Sequence, residues 1–402
     1  MVVPADWKEV LLGEIYEVKS SKRVLQSEWR QIGVPFFRGR EVSELASRGK
    51  VNNDLFIDMT HYERLRRNYG VPCIDDLLLT AIGTIGNAYR VKTTEPFYFK
   101  DASVIWLSGR GGVVGSYVEH WMKSKGFRDQ LPSDNGTTVD TLTIGFTAGM
   151  RVILPPLKEQ EAIAEALSDA DAAIESLDAL IAKKRDVKQA AIQQLLTGRT
   201  RLPGFTAEWK EVRLGEHSSF FKGNSLSKSQ LIDDGPQECV HYGELFTHYG
   251  SVIETVTSKC VAFEGSFKSQ VGDVLMPGSD VTPRGLATAS AIKVSDVVLG
   301  GDVIVIRAKP TSLYGPFLSN FIRMSKGRVL RLVKGSTVYH IHAKDLADLE
   351  VLMPPLKEQE AIAEVLSAME DELEALTEQV SKLRMIKEGM MQDLLTGKVR
   401  LV

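Results

Sequence analysis

Residues Leu154–Ser168 read LPPLKEQEAIAEALS, and nearly the same letters return as MPPLKEQEAIAEVLS at Met353–Ser367. A second pair of matching segments lies ahead of each copy, WKEVLLGE at Trp7–Glu14 and WKEVRLGE at Trp209–Glu216. Between these shared segments the two halves are almost unrelated. A solenoid needs many short repeats, whereas two units of roughly 200 residues can each hold a core of their own. The chain therefore consists of two halves, in each of which the shared segments enclose a divergent insert. The shared segments of one half are called its frame.

The composition is that of an ordinary globular protein: 402 residues, 43% hydrophobic, 25% charged, with a formal net charge of −3. No apolar run approaches the roughly 20 residues that span a bilayer, and the first residues lack the features of a signal peptide. We therefore expect a cytoplasmic protein without membrane contact. The three cysteines form no CxxC pair, which argues against a zinc site or a disulfide framework. Both inserts are close to neutral, so net charge does not decide whether nucleic acid is a partner.

The shared PPLKEQE segments begin two long helices. Proline is tolerated at the start of a helix, and Glu159 and Glu358 place negative charge near the positive end of each helix dipole. Gly198 and Gly397 mark the C-terminal ends. Apolar residues recur at alternating steps of four and three, which is the pattern of a coiled-coil seam. The predicted seam residues are Ile163, Leu167, Ile174, Leu177, Ile181, Ile362, Leu366, Met369, Leu373, Leu376, Val380 and Leu383.

The charges indicate how the two helices pair. In both helices the first half is acidic and basic residues follow in the second half. Antiparallel pairing brings the acidic half of each helix against the basic half of the other, whereas parallel pairing places acid against acid. We therefore predict an intramolecular antiparallel coiled coil. The alternative is that each helix packs only on its own domain and that its charges are solvated.

These patterns predict an α+β fold in which two mixed α/β domains are separated by the two long helices, as a pseudo-two-fold internal repeat. The first domain spans residues 1-153, and the first helix with its linker spans 154-205. The second domain spans 206-352, and the second helix spans 353-402. Because the inserts differ in sequence, we expect the two domains to recognise different things.

Further short segments recur in both halves. They are LLTG at 195–198 and 394–397, Gly136-Thr137-Thr138 and Gly335-Ser336-Thr337, and the strand-like runs Asp76-Leu77-Leu78-Leu79-Thr80 and Gly272-Asp273-Val274-Leu275-Met276. Together with PPLKEQEAIAE and WKEVxLGE, they make the whole chain resemble the specificity subunit (S subunit, HsdS family) of type I restriction-modification systems. The second half departs from the family pattern by placing Pro277 where Thr80 stands, which leaves the path of that loop open.

The resemblance implies two target recognition domains that read a bipartite, asymmetric target in double-stranded DNA. It also implies docking of two methyltransferase (M) subunits and of restriction (R) motor-nuclease subunits. Specificity subunits are non-catalytic, so S-adenosylmethionine, ATP and Mg are expected only on the partner subunits.

The residues agree with a lack of catalysis. Leu154 and Met353 precede the prolines, where an amino-methyltransferase needs Asn or Asp. No GxxxxGK[ST] phosphate loop occurs and the histidines never take HExxH spacing, so we expect neither catalytic nor metal-binding residues. One alternative is an enzyme that acts on DNA by itself. The other is a structural coiled-coil adaptor without DNA contact, because neutral inserts also suit protein partners.

Polar and basic residues of the inserts are the candidates for DNA contact, because arginine suits phosphate and guanine while asparagine suits adenine. The candidates are Lys22, Arg23, Arg38, Arg40, Arg64, Arg66, Arg67 and Asn87 in the first insert, and Lys222, Asn224, Ser225, His241, Tyr242, Lys268, Arg284 and Lys334 in the second. The basic run from Arg323 to Lys334 has helical spacing, so part of it is expected to coat an amphipathic helix. For each residue the alternative is an ordinary solvated surface charge.

Overall fold

The computed structural model describes residues 4–132, 141–224, 226, 228–261 and 265–401. The chain forms two compact units, Met1–Asp178 together with Glu378–Val402, and Ala179–Thr377. Each long helix therefore contributes one part to each unit. The motif Gly136-Thr137-Thr138 and the candidate Ser225 lie outside the described residues.

In the first unit, short strands and helices precede the first long helix. The strands are β1 (Lys8–Leu11), β2 (Tyr16–Lys19), β3 (Trp29–Arg30), β4 (Val34–Phe37), β5 (Phe56–Ile57), β6 (Leu77–Thr80), β7 (Ala88–Arg90), β8 (Tyr98–Phe99), β9 (Val104–Gly109) and β10 (Arg151–Leu154). The helices are α1 (Leu12–Ile15), α2 (Gly39–Arg48), α3 (Met59–Tyr69), α4 (Gly115–Lys123), α5 (Lys125–Arg128), α6 (Ile144–Ala148) and α7 (Leu157–Leu195), with a 3-10 turn at Gln26–Glu28. They form an antiparallel sheet ordered β2-β9-β6-β7, a mixed sheet ordered β3-β5-β4-β8 and the pair β1-β10.

The second unit follows a related order. Its strands are β11 (Lys210–Arg213), β12 (Ser218–Lys222), β13 (Gln237–Val240), β14 (Val252–Ile253), β15 (Lys259–Cys260), β16 (Asp273–Pro277), β17 (Ser279–Asp280), β18 (Ser290–Ile292), β19 (Val298–Leu299), β20 (Val303–Ala308), β21 (Tyr339–His340) and β22 (Glu350–Met353). Its helices are α8 (Leu214–His217), α9 (Glu244–Thr247), α10 (Gly315–Met324), α11 (Lys326–Leu330), α12 (Ala343–Ala347) and α13 (Leu356–Leu394), with 3-10 turns at Lys228–Gln230 and Pro283–Ala287. The sheets are ordered β12-β20-β16-β18-β14, β15-β13-β19, β11-β22 and β17-β21.

Strand β6 shows how the sequence places the core. Side chains of a strand alternate between the two faces of its sheet. Leu77 and Leu79 pack in one apolar cluster with Tyr117 of helix α4, whereas Leu78 packs in another with Trp106. The corresponding strand β16 divides its side chains between two clusters in the same way. Each unit therefore buries both faces of its central strand.

The basic run from Arg323 to Lys334 is divided between helices α10 and α11 and the residues that follow them. Helix α10 ends and helix α11 begins on either side of Ser325. Arg323 points inward and donates to the backbone carbonyl oxygens of Tyr249 and Gly250, at 3.1 and 2.7 Å. Burial lowers the pKa of Arg323 to about 10. Its guanidinium therefore serves the packing of the unit.

The segments that recur in the sequence lie side by side in each unit. Strand β1 pairs antiparallel with β10, so Lys8 of the first WKEV lies opposite Leu154 of LPPL. Strand β11 pairs with β22 in the same way, so Lys210 lies opposite Met353. The repeated segments thus form one frame per unit, and the predicted internal repeat is confirmed.

A buried Glu-Gln pair fixes the first frame to its insert. The carboxylate of Glu159 accepts the indole N–H of Trp7 at 3.0 Å and two N–H groups of Arg400 at 2.5 and 2.7 Å. The next residue, Gln160, accepts the backbone N–H of Val114 at 3.0 Å, just ahead of helix α4. The start of helix α7 is thereby bound to the N-terminal segment of the chain through Trp7 and to the C-terminal segment through Arg400.

The second frame repeats these contacts. Glu358 accepts the indole N–H of Trp209 at 3.0 Å and two N–H groups of Arg201 at 2.5 and 2.7 Å. Gln359 accepts the backbone N–H of Tyr314 at 2.8 Å. The interpretation of the two glutamates as helix-dipole charges was therefore incomplete, because both are fully buried and bound to specific partners.

The two long helices, of 39 residues each, run antiparallel in each unit. Four ion pairs between the helices show this direction. From one pair to the next, the residue number in α7 increases while the residue number in α13 decreases. These are Asp171–Lys387 and Asp178–Arg384 in the first unit, and Lys184–Glu372 and Lys188–Glu370 in the second. Acid on one helix meets base on the other, as the charge pattern predicted. The antiparallel coiled coil is confirmed.

The predicted seam residues lie between the paired helix segments. Ile163, Leu167 and Leu366 are almost completely buried, because the helices also pack on the apolar clusters of their units there. Nearer the helix centres, Ile181, Leu373 and Val380 are buried as well, whereas Ile174 and Leu376 are half-buried. Knobs of a two-stranded seam keep some solvent contact. The spacing of four and three thus describes the buried stripe of both helices.

Candidate nucleic-acid interface

A basic groove lies on the first unit beside the start of helix α2. Its volume is about 600 Å³, and it is lined by helix α2, the loop after β6 and the loop between β8 and β9. Three of the sequence candidates meet here, Arg38, Arg40 and Asn87. Arg48 and Lys100 line the groove as well, together with the acidic Glu44. Such a concave cluster of cations suits a polyanion even though the whole insert is close to neutral.

A buried carboxylate holds Arg38 and Arg40 in place. Glu41 accepts the backbone N–H of Arg38 at 2.8 Å, its Nη2–H at 2.7 Å, and the Nε–H of Arg40 at 2.8 Å. Asp54 lies 2.7 Å from Arg38 Nη2 and 3.2 Å from Arg40 Nη2. Burial alone would raise the pKa of Glu41, but the hydrogen bonds from both arginines lower it to about 2. The two guanidinium groups are therefore oriented before any ligand arrives.

The loop after β6 sets the position of Asn87. The hydroxyl of Thr80 donates to the carbonyl oxygen of Thr84 at 2.6 Å and accepts the backbone N–H of Asn87 at 3.0 Å. The side-chain amide of Asn87 then donates to Ser43 Oγ on helix α2 at 2.9 Å. Thr80 thus shapes the turn, and Ser43 orients the amide at the groove.

The other candidates of the first insert do not line the groove. Their contacts are Arg23–Asp101 at 2.9 Å, Arg64–Glu28 at 3.8 Å, Arg66–Glu63 at 3.2 Å, and Lys22 Nζ at 5.5 Å from the ring centroid of Tyr69. Arg67 is exposed on helix α3. Exposed ion pairs are weak, so these cations can exchange their partners for phosphate. Their part in DNA binding stays a prediction.

Sequence reasoning missed Arg48 and Lys100. Arg48 lies about two helical turns beyond Arg40, a spacing that could have placed both near one face of α2. Lys100 reaches the groove because β8 pairs parallel with β4, and its backbone N–H donates to the carbonyl oxygen of Phe37 at 2.8 Å. Parallel pairing between distant segments leaves no short-range signal in a sequence.

The second unit presents other side chains on a similar backbone. Strand β13 runs into helix α9 through His241 and Tyr242, whose rings lie 4.5 Å apart. Glu244 accepts the backbone N–H of His241 at 2.7 Å, and partial burial lowers the pKa of that imidazole. Lys222 Nζ lies 3.2 Å from Asp302. Around His241 and Tyr242 the second unit offers aromatic rings, whereas the first unit offers arginines.

The remaining candidates of the second insert are spread over separate contacts. Asn224 donates to the carbonyl oxygen of Gly265 at 2.6 Å and accepts the backbone N–H of Phe267 at 2.8 Å, so its amide holds two loops together. Lys268–Asp296 at 3.0 Å and Lys334–Asp345 at 2.9 Å are exposed ion pairs. Arg284 is exposed. Adenine reading by Asn224 would compete with the loop contacts.

The path of the loop at Pro277 is now defined. Pro277 ends strand β16, and β17 follows at once and pairs with β21 through Ser279 and His340. In the first unit, Ile82 makes a comparable bridge to Thr141 after Thr80 has closed its turn. The second unit has Pro277 at the position that corresponds to Thr80. It forms a two-residue strand pair there, whereas the first unit has a single bridge.

Both halves of the chain match the family model of the type I restriction modification DNA specificity domain, over residues 4–183 and 206–382. The chain belongs to this family. The match confirms the resemblance drawn from the PPLKEQEAIAE and WKEVxLGE motifs, and it assigns a DNA specificity domain to each half.

Similar proteins carry the same description. A specificity subunit of Methanocaldococcus jannaschii, provisionally named MjaX, is 22% identical over an alignment that is 431 residues long. The alignment covers 99% of this chain and 95% of that protein. The type I restriction enzyme MjaVIII specificity subunit of the same organism is 23% identical over 66% of each chain. The crystal structure of a type I restriction-modification S subunit from M. genitalium has a TM-score of 0.61 at 15% identity, over 97% of this chain and 96% of that one. The HsdS subunit from Thermoanaerobacter tengcongensis has a TM-score of 0.52 at 18% identity, over 99% of both chains. These structures share the fold.

Among the helices that the structure describes, none combines the length and the apolar character that crossing a bilayer requires.

Proposed function

We propose that this family member reads a bipartite, asymmetric target in double-stranded DNA, with one half-site for each recognition domain (residues 1-153 and 206-352). It docks two methyltransferase subunits and the restriction motor-nuclease subunits, and it contributes no catalysis of its own. S-adenosylmethionine, ATP and Mg are bound by those partners. The helical segments, residues 154-205 and 353-402, set the gap between the half-sites.

The basic groove of the first unit carries this proposal. Arg38, Arg40, Arg48 and Lys100 line one concave surface, and two of the arginines are oriented by the buried Glu41. All four cations keep some contact with solvent, with Arg40 and Arg48 exposed and Arg38 and Lys100 half-buried, which suits contact with phosphate. The different side chains at the matching loop of the second unit support two unlike half-sites.

Binding is tested with the complex of this chain and its methyltransferase partner, because the free subunit need not hold DNA. Gel-shift titrations on random and target duplex at several salt concentrations compare the Arg48→Ala/Lys100→Ala variant with a Lys125→Ala/Arg151→Ala control. The control removes the same charge from exposed sites outside the groove. Each lost phosphate contact flattens the salt dependence by about 0.9 in log–log slope. We expect a change of up to about 2 for the groove variant only. Equal slopes for both variants would reject the groove as the DNA surface.

Methylome sequencing of a host that expresses the chain with its methyltransferase tests the bipartite target. We expect one motif with two different half-sites and a fixed gap. Lengthening both helices by two turns should change the gap and leave both half-sites as they are. A complex that assembles but methylates and binds no defined sequence would favour the adaptor without DNA contact.

A further inference from the structure

The loop that joins a strand to the following helix is built alike in both units. In the first unit β4 runs into α2, and Glu41 accepts the backbone N–H of Arg38 at 2.8 Å. In the second unit β13 runs into α9, and Glu244 accepts the backbone N–H of His241 at 2.7 Å. The glutamate stands three residues after the residue that it caps in both cases. The two loops are therefore structural equivalents, although their sequences share little else.

The strand beside each loop confirms the equivalence. Strands β4 and β13 each have a parallel partner, β8 and β19. Just past that partner, the N–H of Lys100 donates to the carbonyl oxygen of Phe37 at 2.8 Å, and the N–H of Gly300 donates to that of Val240 at 2.9 Å. Lys100 in the first unit is thus matched by a glycine in the second. Arg40 is matched by Gly243, so the second loop lacks both of these cations.

Two side chains of the first groove have the form that reads base edges. Arg40 is 52% exposed, whereas Arg38 is 29% exposed and more deeply held between Glu41 and Asp54. Arg40 meets Glu41 through its Nε and Nη2 groups, so the Nη1 side of its guanidinium points away from that carboxylate. The side-chain amide of Asn87 donates one N–H to Ser43 Oγ. Its other N–H and its side-chain carbonyl oxygen can pair with a base. A fixed guanidinium suits guanine O6 and N7, and an amide suits adenine N6 and N7.

We infer that Arg40 and Asn87 are specificity-determining residues of the first domain, which read a guanine and an adenine of the first half-site in the major groove. Arg38 and Ser43 are positioning residues for them, and Arg48 and Lys100 contact phosphate. The second domain carries His241 and Gly243 at the matching loop and reads other bases there. This inference rests on the proposed function, since it assigns base contacts within the DNA-reading groove.

The test uses the complex with the methyltransferase partner and measures methylation of pairs of duplexes that differ at one base pair, competing in one tube. The ratio of the two rates does not depend on how much complex is active. Arg40→Lys keeps the positive charge but removes the planar guanidinium with its paired N–H donors. Asn87→Ala removes the side-chain amide. Arg151→Lys is the matched control, because Arg151 is an exposed arginine paired with a carboxylate outside the groove and is not a candidate for DNA contact. Ser43→Ala tests positioning.

We expect Arg40→Lys to lower the preference for guanine at one position by about 5- to 150-fold, and Asn87→Ala to lower the preference for adenine at another position by a similar factor. Both positions belong to the same half-site. Ser43→Ala should lower only the adenine preference, by a smaller factor, and Arg151→Lys should change no ratio. Unchanged ratios for Arg40→Lys and Asn87→Ala, or a loss of rate that is equal for every duplex, would overturn the inference while the proposed function stands. A wild-type complex without any sequence preference would instead reject the proposed function.

Discussion

Replacing Glu41 by glutamine removes the charge that holds the groove arginines and keeps the shape of the side chain. Two arginines lower the pKa of Glu41 from 4.5 to about 2, against the opposing effect of burial. That difference corresponds to roughly 3 kcal/mol between the charged and neutral forms. Since glutamine still accepts hydrogen bonds and Asp54 remains, we expect Glu41→Gln to lower the free energy of unfolding of the first unit by about 2 to 3 kcal/mol at pH 7.

The pH dependence follows from the sign of the shift. A pKa lowered in the folded state stabilises fully above the unfolded value, and the contribution is lost as pH falls through the folded value. The difference between wild type and Glu41→Gln should therefore be complete at pH 7 and less than half as large at pH 3.

Urea unfolding followed by tryptophan fluorescence measures this difference. Four of the five tryptophans, Trp7, Trp29, Trp106 and Trp121, belong to the first unit. Glu63→Gln is the control, because Glu63 forms only an exposed pair with an arginine and should change stability by less than about 1 kcal/mol. An effect of Glu41→Gln that matches the control, or that is the same at pH 3 as at pH 7, would refute the reasoning.

Three further predictions concern the helices and the second domain. Leu167→Ala should lower the free energy of unfolding of the first unit by about 2 to 5 kcal/mol in the same urea assay, because the side chain is fully buried. A double-mutant cycle on Asp178 and Arg384 should give a coupling of only about 0.2 to 1 kcal/mol that fades with salt, since both side chains are about half exposed. Gly223→Ala would place a Cβ 2.2 Å from a backbone carbonyl oxygen, so it should relax the second half-site in the methylome and leave the first unchanged, whereas Gly250→Ala, with open space around it, should change neither.

The frame could be predicted from the sequence because its parts repeat. WKEV and PPLKEQE recur in both halves, and the strands beside them form one pair in each unit, with Lys8 opposite Leu154 in the first. The seam and its charges also follow short-range rules, so the antiparallel pairing at Asp178 and Arg384 was within reach. The role of Glu159 could not be predicted in this way, because a helix-dipole argument considers only the helix itself. The hydrogen bonds of Glu159 also need Trp7 and Arg400, which are distant in sequence.

The candidate site was predicted only in part, for a related physical reason. Arg38, Arg40 and Asn87 drew attention by residue type, but type did not distinguish them from Arg23 or Arg66, which lie outside the groove. That distinction depends on the parallel pairing of β4 with β8 and on the turn closed by Thr80. Such contacts join distant segments and are decided by tertiary packing.

The same separation explains how one fold can present different side chains at the same loop in its two units. The stability of each unit resides in the frame, where Glu159 or Glu358 is fully buried, and in central strands such as Leu77–Thr80. The loop in each unit is capped by a glutamate that accepts a backbone N–H, and this one contact does not depend on the side chain at the capped position. Arginine fills that position in one unit and histidine in the other, while the hydrogen bond differs by 0.1 Å. A loop that is held through its backbone can change the side chains it presents without destabilising the fold, which is what the two unlike half-sites that we propose require.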